Sequence, residues 1–210
     1  MLATFSAEIR RHQDVFLKSL ANQPICTEID LELQFFAGWY GLIGLHDAWS
    51  RFCRDVVVVS ALGGVVTRTG TQLSRSAVIP ANKTPLAYLK DNWPPSGYGR
   101  CYDDGPYWYV PTTADKAAQI LRISNYANFS AAILASGDAP KELRACRNYL
   151  AHRNPDTENH PDMQALRGRI NVPPATTLAD RLAEEIVTGN ITLFEKWCRE
   201  LEITAITSIA

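Results

Sequence analysis

The feature that most constrains this chain is the long apolar segment at 28–62, from Glu28-Ile29-Asp30-Leu31 through Val56-Val57-Val58-Val59-Ser60-Ala61-Leu62. Taken alone, Val56 to Val59 would suggest a strand, because β-branched residues suit a pleated surface. The whole segment is too long for that, and Leu42, Leu45, Trp49, Phe52 and Val56 recur at helical spacing. It therefore predicts a central helix, broken by Gly63-Gly64. Gly38, Gly41 and Gly44 stand at intervals of three inside it, which is unusual in a helix. They mark a seam where another helix packs closely, with a dimer partner as one candidate.

The rest of the chain is organised around that element. Residues 2–21 read as an amphipathic helix with Ile9, Val15, Phe16 and Leu20 inward, and Pro24 ends the following link. Residues 63–111 form an irregular, aromatic-rich insertion. Within it, Thr84-Pro85 caps and opens a short helix running to about Asn92. Tyr98, Tyr102, Tyr107, Trp108 and Tyr109 follow in loop or short-hairpin sequence. With Arg100 they have the chemistry to stack single-stranded RNA bases, but packing of the loop onto the body is the stronger reading. Thr112 or Thr113 caps a helix over 114–136, with Ala117, Ile120, Leu121 and Ile123 on its apolar side, closed by Gly137-Asp138. A helix at 140–153, a link at 155–175 with a short helix at 162–170, and a helix at 177–200 complete the pattern. In the last, Leu178, Leu182, Ile186, Phe194 and Trp197 point inward and Gly189-Asn190 kinks or splits it. The predicted class is all-α, one domain over 1–210.

Composition excludes several classes. The net charge is −1, so no whole-protein basic footprint advertises nucleic acid, and any RNA contact must rest on a local patch. The five cysteines are odd in number and none has Cys-x-x-Cys spacing, which indicates neither a disulfide framework nor a zinc knuckle. No cofactor or metal set is indicated: phosphate-binding glycine loops and ligand clusters are missing from the sequence. The N-terminal residues lack a signal-peptide layout and no apolar run reaches membrane-spanning length, so a cytoplasmic protein is expected.

The residues with most chemistry are Arg147-Asn148-Tyr149-Leu150-Ala151-His152. They lie on the predicted helix that Pro140 opens and Pro155 ends. At about 100° per residue, Leu143, Cys146 and Leu150 form one buried stripe. Arg144, Asn148, Ala151 and His152 occupy another side, and Arg147 sits at its edge. Asn148 and His152 are neighbours at i, i+4. Arg147 and His152 diverge by about 140°, so a compact site is easier to build from two helices than from one. An arginine fork fits phosphate oxygens, and histidine is suited to moving protons near neutral pH. The plain alternative is a helix end with a solvated Arg and a His favoured by the helix dipole.

Arg147-Asn148-x-x-x-His152, near the end of a helix in an all-helical chain, resembles the signature of the HEPN family (higher eukaryotes and prokaryotes nucleotide-binding). The resemblance covers about residues 115–200 and, weakly, the helix at 31–62. It implies a four- or five-helix up-and-down bundle, usually dimeric, with the motifs of two copies meeting at the interface. It implies a metal-independent endoribonuclease of toxin or antiviral-defence type, with an antitoxin or defence-system protein as a further partner. His152 would be the general acid/base, Arg147 would hold the scissile phosphate, and Asn148 would orient His152 or bind phosphate. Arg144 and Arg153 would supply the local positive patch for RNA. Some relatives of this kind bind a nucleotide or a protein without cutting RNA, and the low basicity suits that alternative. A Tyr two places after the His, usual where the partner is a nucleotidyltransferase, is replaced here by Asn154.

Weaker candidates remain. His46-Asp47 in the central helix would suggest an acid/base pair, but neighbours on a helix diverge by about 100°, so the most expected of it is a polar helper near the cleft. His12 and His160 have no evident partner in sequence and are expected on the surface.

Overall fold

The computed structural model describes residues 1–20, 28–95, 100–103, 105–152, 155–169, 186–187 and 191–210. The class is all-α. The helices are α1 (Leu2–Leu20), α2 (Glu28–Ala61), α3 (Pro85–Asn92), α4 (Pro111–Leu121), α5 (Tyr126–Leu134), α6 (Ala139–His152), α7 (Pro155–Glu158), α8 (Pro161–Arg169) and α9 (Leu193–Ser208). The described strands are two short ones, β1 (Ile186–Val187) and β2 (Ile191–Thr192). They pair antiparallel with Ile186 opposite Thr192. No described helix is long and apolar enough to cross a membrane. The chain divides into two compact units: residues 1–5, 49–140 and 201–210 make one, and 6–48 with 141–200 make the other.

The first unit is built on the second half of α2. Trp49, Phe52, Val56 and Ala61 are buried, and Phe5 stacks on Phe52 with ring centroids 4.4 Å apart. Gly63 ends the helix with a φ of 74°, a conformation that costs an L side chain roughly 1–2 kcal/mol. A Cβ there would also sit 2.7 Å from the Arg75 backbone nitrogen. The chain beyond returns along itself: Leu73 N–H donates to Val65 O, Ser76 N–H donates to Ala61 O, and Ser76 Oγ donates to Leu121 O. Thr84 Oγ1 accepts from Ala87 N–H at 3.2 Å and Pro85 opens α3, as the sequence predicts. Trp108 is buried over Gly105, where a Cβ would come within 2.6 Å of its ring. Tyr102 and Tyr107 stay exposed, their hydroxyls 3.1 Å apart, and Tyr98 lies outside the described residues. Lys90 on α3 pairs with Asp103; the bond raises the lysine pKa and lowers that of the carboxyl.

The predicted helix at 114–136 is two helices. Val110 is the N-cap and Pro111 opens α4, so Thr112 and Thr113 lie inside the first turn. Arg122 then takes left-handed geometry (φ 47°, ψ 51°), its N–H closing on the Ala118 and Gln119 carbonyls, and this stops the helix. It is the one non-glycine residue with positive φ among the described residues. α5 restarts at Tyr126. Asn125 Nδ2 donates to Ser208 O, which ties the joint to the end of α9.

In the second unit Ile9 and Phe16 are buried on α1, and Phe16 stacks on Phe194 at 4.2 Å. Val15 is only half-buried. At Gly41 and Gly44 the glycine seam has an occupant within the same chain. A Cβ on Gly44 would lie 2.0 Å from the His12 ring, and one on Gly41 would lie 3.2 Å from Phe16 Cβ. The close partner there is α1, and a second copy need not be invoked for it. This also corrects the surface expectation for His12, which is buried (6% exposed) because Gly44 makes room for its ring.

Of the helix expected at 177–200, residues 177–185 lie outside the described residues, and the described part differs from the expectation. Residues 186–192 include the β1/β2 pair, and α9 begins only at Leu193. A capping box sets that start: Thr192 Oγ1 accepts from Glu195 N–H at 3.1 Å, and Glu195 Oε2 accepts from Thr192 N–H at 2.8 Å. Phe194 and Trp197 are buried as expected. Leu178, Leu182 and Gly189-Asn190 lie outside the described residues.

Filling the Gly44 notch should overpack the α1–α2 contact. Gly44→Ala is expected to destabilise by about 1–3 kcal/mol, read as a lower Tm and earlier urea midpoint. A variant as stable as the parent would show that His12 does not occupy that space.

Candidate functional site

Helix α6 carries the motif, and its rotation is set by its apolar side. Leu143, Cys146 and Leu150 are all buried, the stripe that helical spacing predicts. Burial pushes the Cys146 thiol far up from its ordinary pKa, with the Glu142 charge adding to it, so Cys146 is no nucleophile at neutral pH. Glu142 is buried too (7% exposed), and its Oε2 accepts a hydrogen bond from Trp197 Nε1 at 2.8 Å. An indole N–H and a carboxylate each need a partner when desolvated, so the bond fastens the first turns of α6 to α9.

The opposite side is polar. Arg147 and Asn148 are half-buried, and Arg147 Nη1 donates to Asn148 Oδ1 at 3.4 Å. His152 is the last residue of α6. It is exposed, with no hydrogen bond or ion pair among the described residues. Among the described residues Asn148 thus hydrogen-bonds to Arg147, and no hydrogen bond joins either of them to His152. Arg144 Nη2 pairs with Asp162 Oδ2 at 2.5 Å, so its charge is already balanced within the protein. Arg153 and Asn154 lie outside the described residues.

A small cleft of about 200 Å³ opens beside the motif, lined by Arg144, Ala145, Asn148, Asp156, Thr157 and His160. His160, exposed as the sequence predicts, also lines this cleft. It precedes Pro161 at the start of α8, and its Nδ1 accepts from Asp162 N–H at 3.3 Å. Asp162 Oδ2 lies 3.7 Å from the same nitrogen. The sequence signal was present: Pro161 as first helical residue makes His160 the cap. The cleft therefore gathers a guanidinium, an amide, an imidazole and a carboxylate, with His152 outside its lining.

His46 and Asp47 do converge despite their helical divergence: His46 Nδ1 and Asp47 Oδ1 are 3.1 Å apart, with His46 buried. Neither lines the motif cleft.

Compared with family models, curated proteins and solved structures, the chain matches none. The resemblance to the HEPN family thus rests on Arg147, Asn148 and His152 and on the all-α class.

Proposed function

We propose that this protein is a metal-independent endoribonuclease of HEPN type. The observation that carries the reading is the layout of α6: one buried stripe, then Arg147 and Asn148 in contact on a half-buried edge, then His152 exposed at the helix end. The helices would form an up-and-down bundle with 63–111 as an aromatic-rich insertion. Two copies would meet along α6, so that Arg147 of one chain and His152 of the other serve one phosphate. Toxin or antiviral-defence biology in the cytoplasm, with an antitoxin or defence-system partner, follows by family analogy.

In the reaction, the His152 imidazole takes the proton from the 2′-hydroxyl as O2′ attacks phosphorus, and the P–O5′ bond breaks as the imidazolium so formed returns that proton to O5′. Products are a 2′,3′-cyclic phosphate and a 5′-hydroxyl end. Arg147 holds the non-bridging oxygens, where a planar fork gains most as charge builds in the transition state. Asn148 braces Arg147 and offers its amide to the same phosphate. Arg144 and Arg153 would guide RNA, Arg144 only in exchange for Asp162.

That last pairing favours a second reading. With Arg144 neutralised and Asp156 lining the cleft, the site is less attractive to a polyanion than the motif alone suggests. A non-catalytic HEPN-like module binding a nucleotide or a partner protein accommodates this.

Incubation of purified protein with single-stranded RNA in EDTA decides between them. Wild type is expected to cut RNA, leave cyclic phosphate ends, and spare a DNA copy. His152→Ala should lose about 10²–10⁴-fold, and Arg147→Lys should recover little because an ammonium lacks the fork. Slow labelling of Cys146 by a thiol reagent, matched to wild type, confirms that each variant keeps α6 packed. Equal RNA loss with wild type and His152→Ala would hand the site to the binding-module reading.

A further inference from the structure

We infer that a groove on the first unit, formed by α3, α4 and the start of α5, binds a nucleoside phosphate, either free or as one unit of single-stranded RNA. The groove measures about 660 Å³, within the range of small-molecule sites. Tyr88 and Asn92 stand at i, i+4 on α3, and Lys116 and Gln119 at i, i+3 on α4. Arg122 and Tyr126 close it at the joint to α5. Ile120 and Ile123 add apolar wall, and no Asp or Glu among the described residues lines it.

Three observations set the ligand class. The first is charge: Lys116 and Arg122 place two cations in a groove that no described carboxylate lines, in a chain whose net charge is −1. Lys116 Nζ donates to Gln119 Oε1 at 2.7 Å, and Arg122 makes no ion pair or side-chain hydrogen bond among the described residues. An unspent guanidinium beside an ammonium suits a phosphate. The second is the pair of half-buried tyrosines, whose hydroxyls make no hydrogen bond among the described residues. Aromatic faces beside cations suit a planar base, and Asn92 Oδ1 and Gln119 Nε2, the amide atoms not used in the bonds to Tyr88 O and Lys116 Nζ, suit its edge. The third is the backbone of Arg122. Left-handed geometry at a helix end is the place where glycine folds most cheaply. An arginine there works against the fold's own preference, and it projects into the groove. A planar ring carrying phosphate meets all three.

This site shares no residue with the motif on α6 and does not rest on the ribonuclease reading. The test is calorimetric titration of the full chain with adenosine 5′-monophosphate, inorganic phosphate, and a six-nucleotide 2′-O-methyl RNA that 2′-hydroxyl chemistry cannot cut. Adenosine monophosphate or the RNA is expected to bind at least about tenfold more tightly than phosphate, since the ring adds stacking. Mononucleotide binding no weaker than the RNA identifies a free nucleotide as ligand; much tighter RNA binding identifies a strand. Arg122→Gly separates ligand from fold. It is expected to keep or raise Tm by relieving the left-handed residue while weakening binding about tenfold or more. Lys116→Gln and Tyr126→Leu should each weaken binding too, and Lys116→Gln decides the matter if Arg122→Gly lowers Tm. No binding of either nucleotide probe, phosphate binding as tight as mononucleotide, or binding indifferent to Arg122→Gly and Lys116→Gln would overturn the assignment.

Discussion

The hydrogen bond between Trp197 Nε1 and the buried Glu142 carboxylate governs the motif's presentation. A charge taken out of water needs partners, and an indole offers a single donor with one direction. The bond therefore locks in place the rotation that the buried stripe of Leu143, Cys146 and Leu150 sets, and Arg147, Asn148 and His152 are left on the other side, the first two half-buried and His152 exposed. Replacing Glu142 by an apolar residue would orphan the indole N–H, which costs about 1–3 kcal/mol. Whatever chemistry the motif performs depends on that buried contact.

Local spacing made part of this legible. The α2 core positions, the Thr84-Pro85 start of α3 and the buried stripe of α6 could be read because each repeats a pattern within a few residues. What failed depended on distant neighbours. The glycine seam was visible, but its occupant, the His12 ring on α1, was not. The joint at Arg122 escaped because arginine is a good helix former and nothing local demands left-handed geometry. α9 reaches Ser208 although Ile203, Thr204, Ile206 and Thr207 are β-branched. Leu201, Ala205 and Ile209 recur every fourth residue and are buried, so packing overrides propensity there. The start of α9 could have been found from Thr192-x-x-Glu195.

The candidate site was legible as a motif and not as a place. Arg144 was read as a free cation, and its partner Asp162 lies on another helix. His160 is exposed, as expected of a surface residue, and the turn between α7 and α8 also brings it to the cleft beside Asn148. Positive charge is thus distributed in a way that net charge hides: spent on Asp162 near the motif, unspent at Arg122 in the first unit.

The central claim is that Arg147 and His152 of two copies make one ribonuclease site. Co-expression of an Arg147→Ala chain with a His152→Ala chain tests it most directly. Each homodimer should be inactive, while every mixed dimer retains one intact site, so random pairing should restore about a quarter of wild-type cleavage. A mixture as silent as either parent, beside an active wild type, would show that the two residues do not act across an interface.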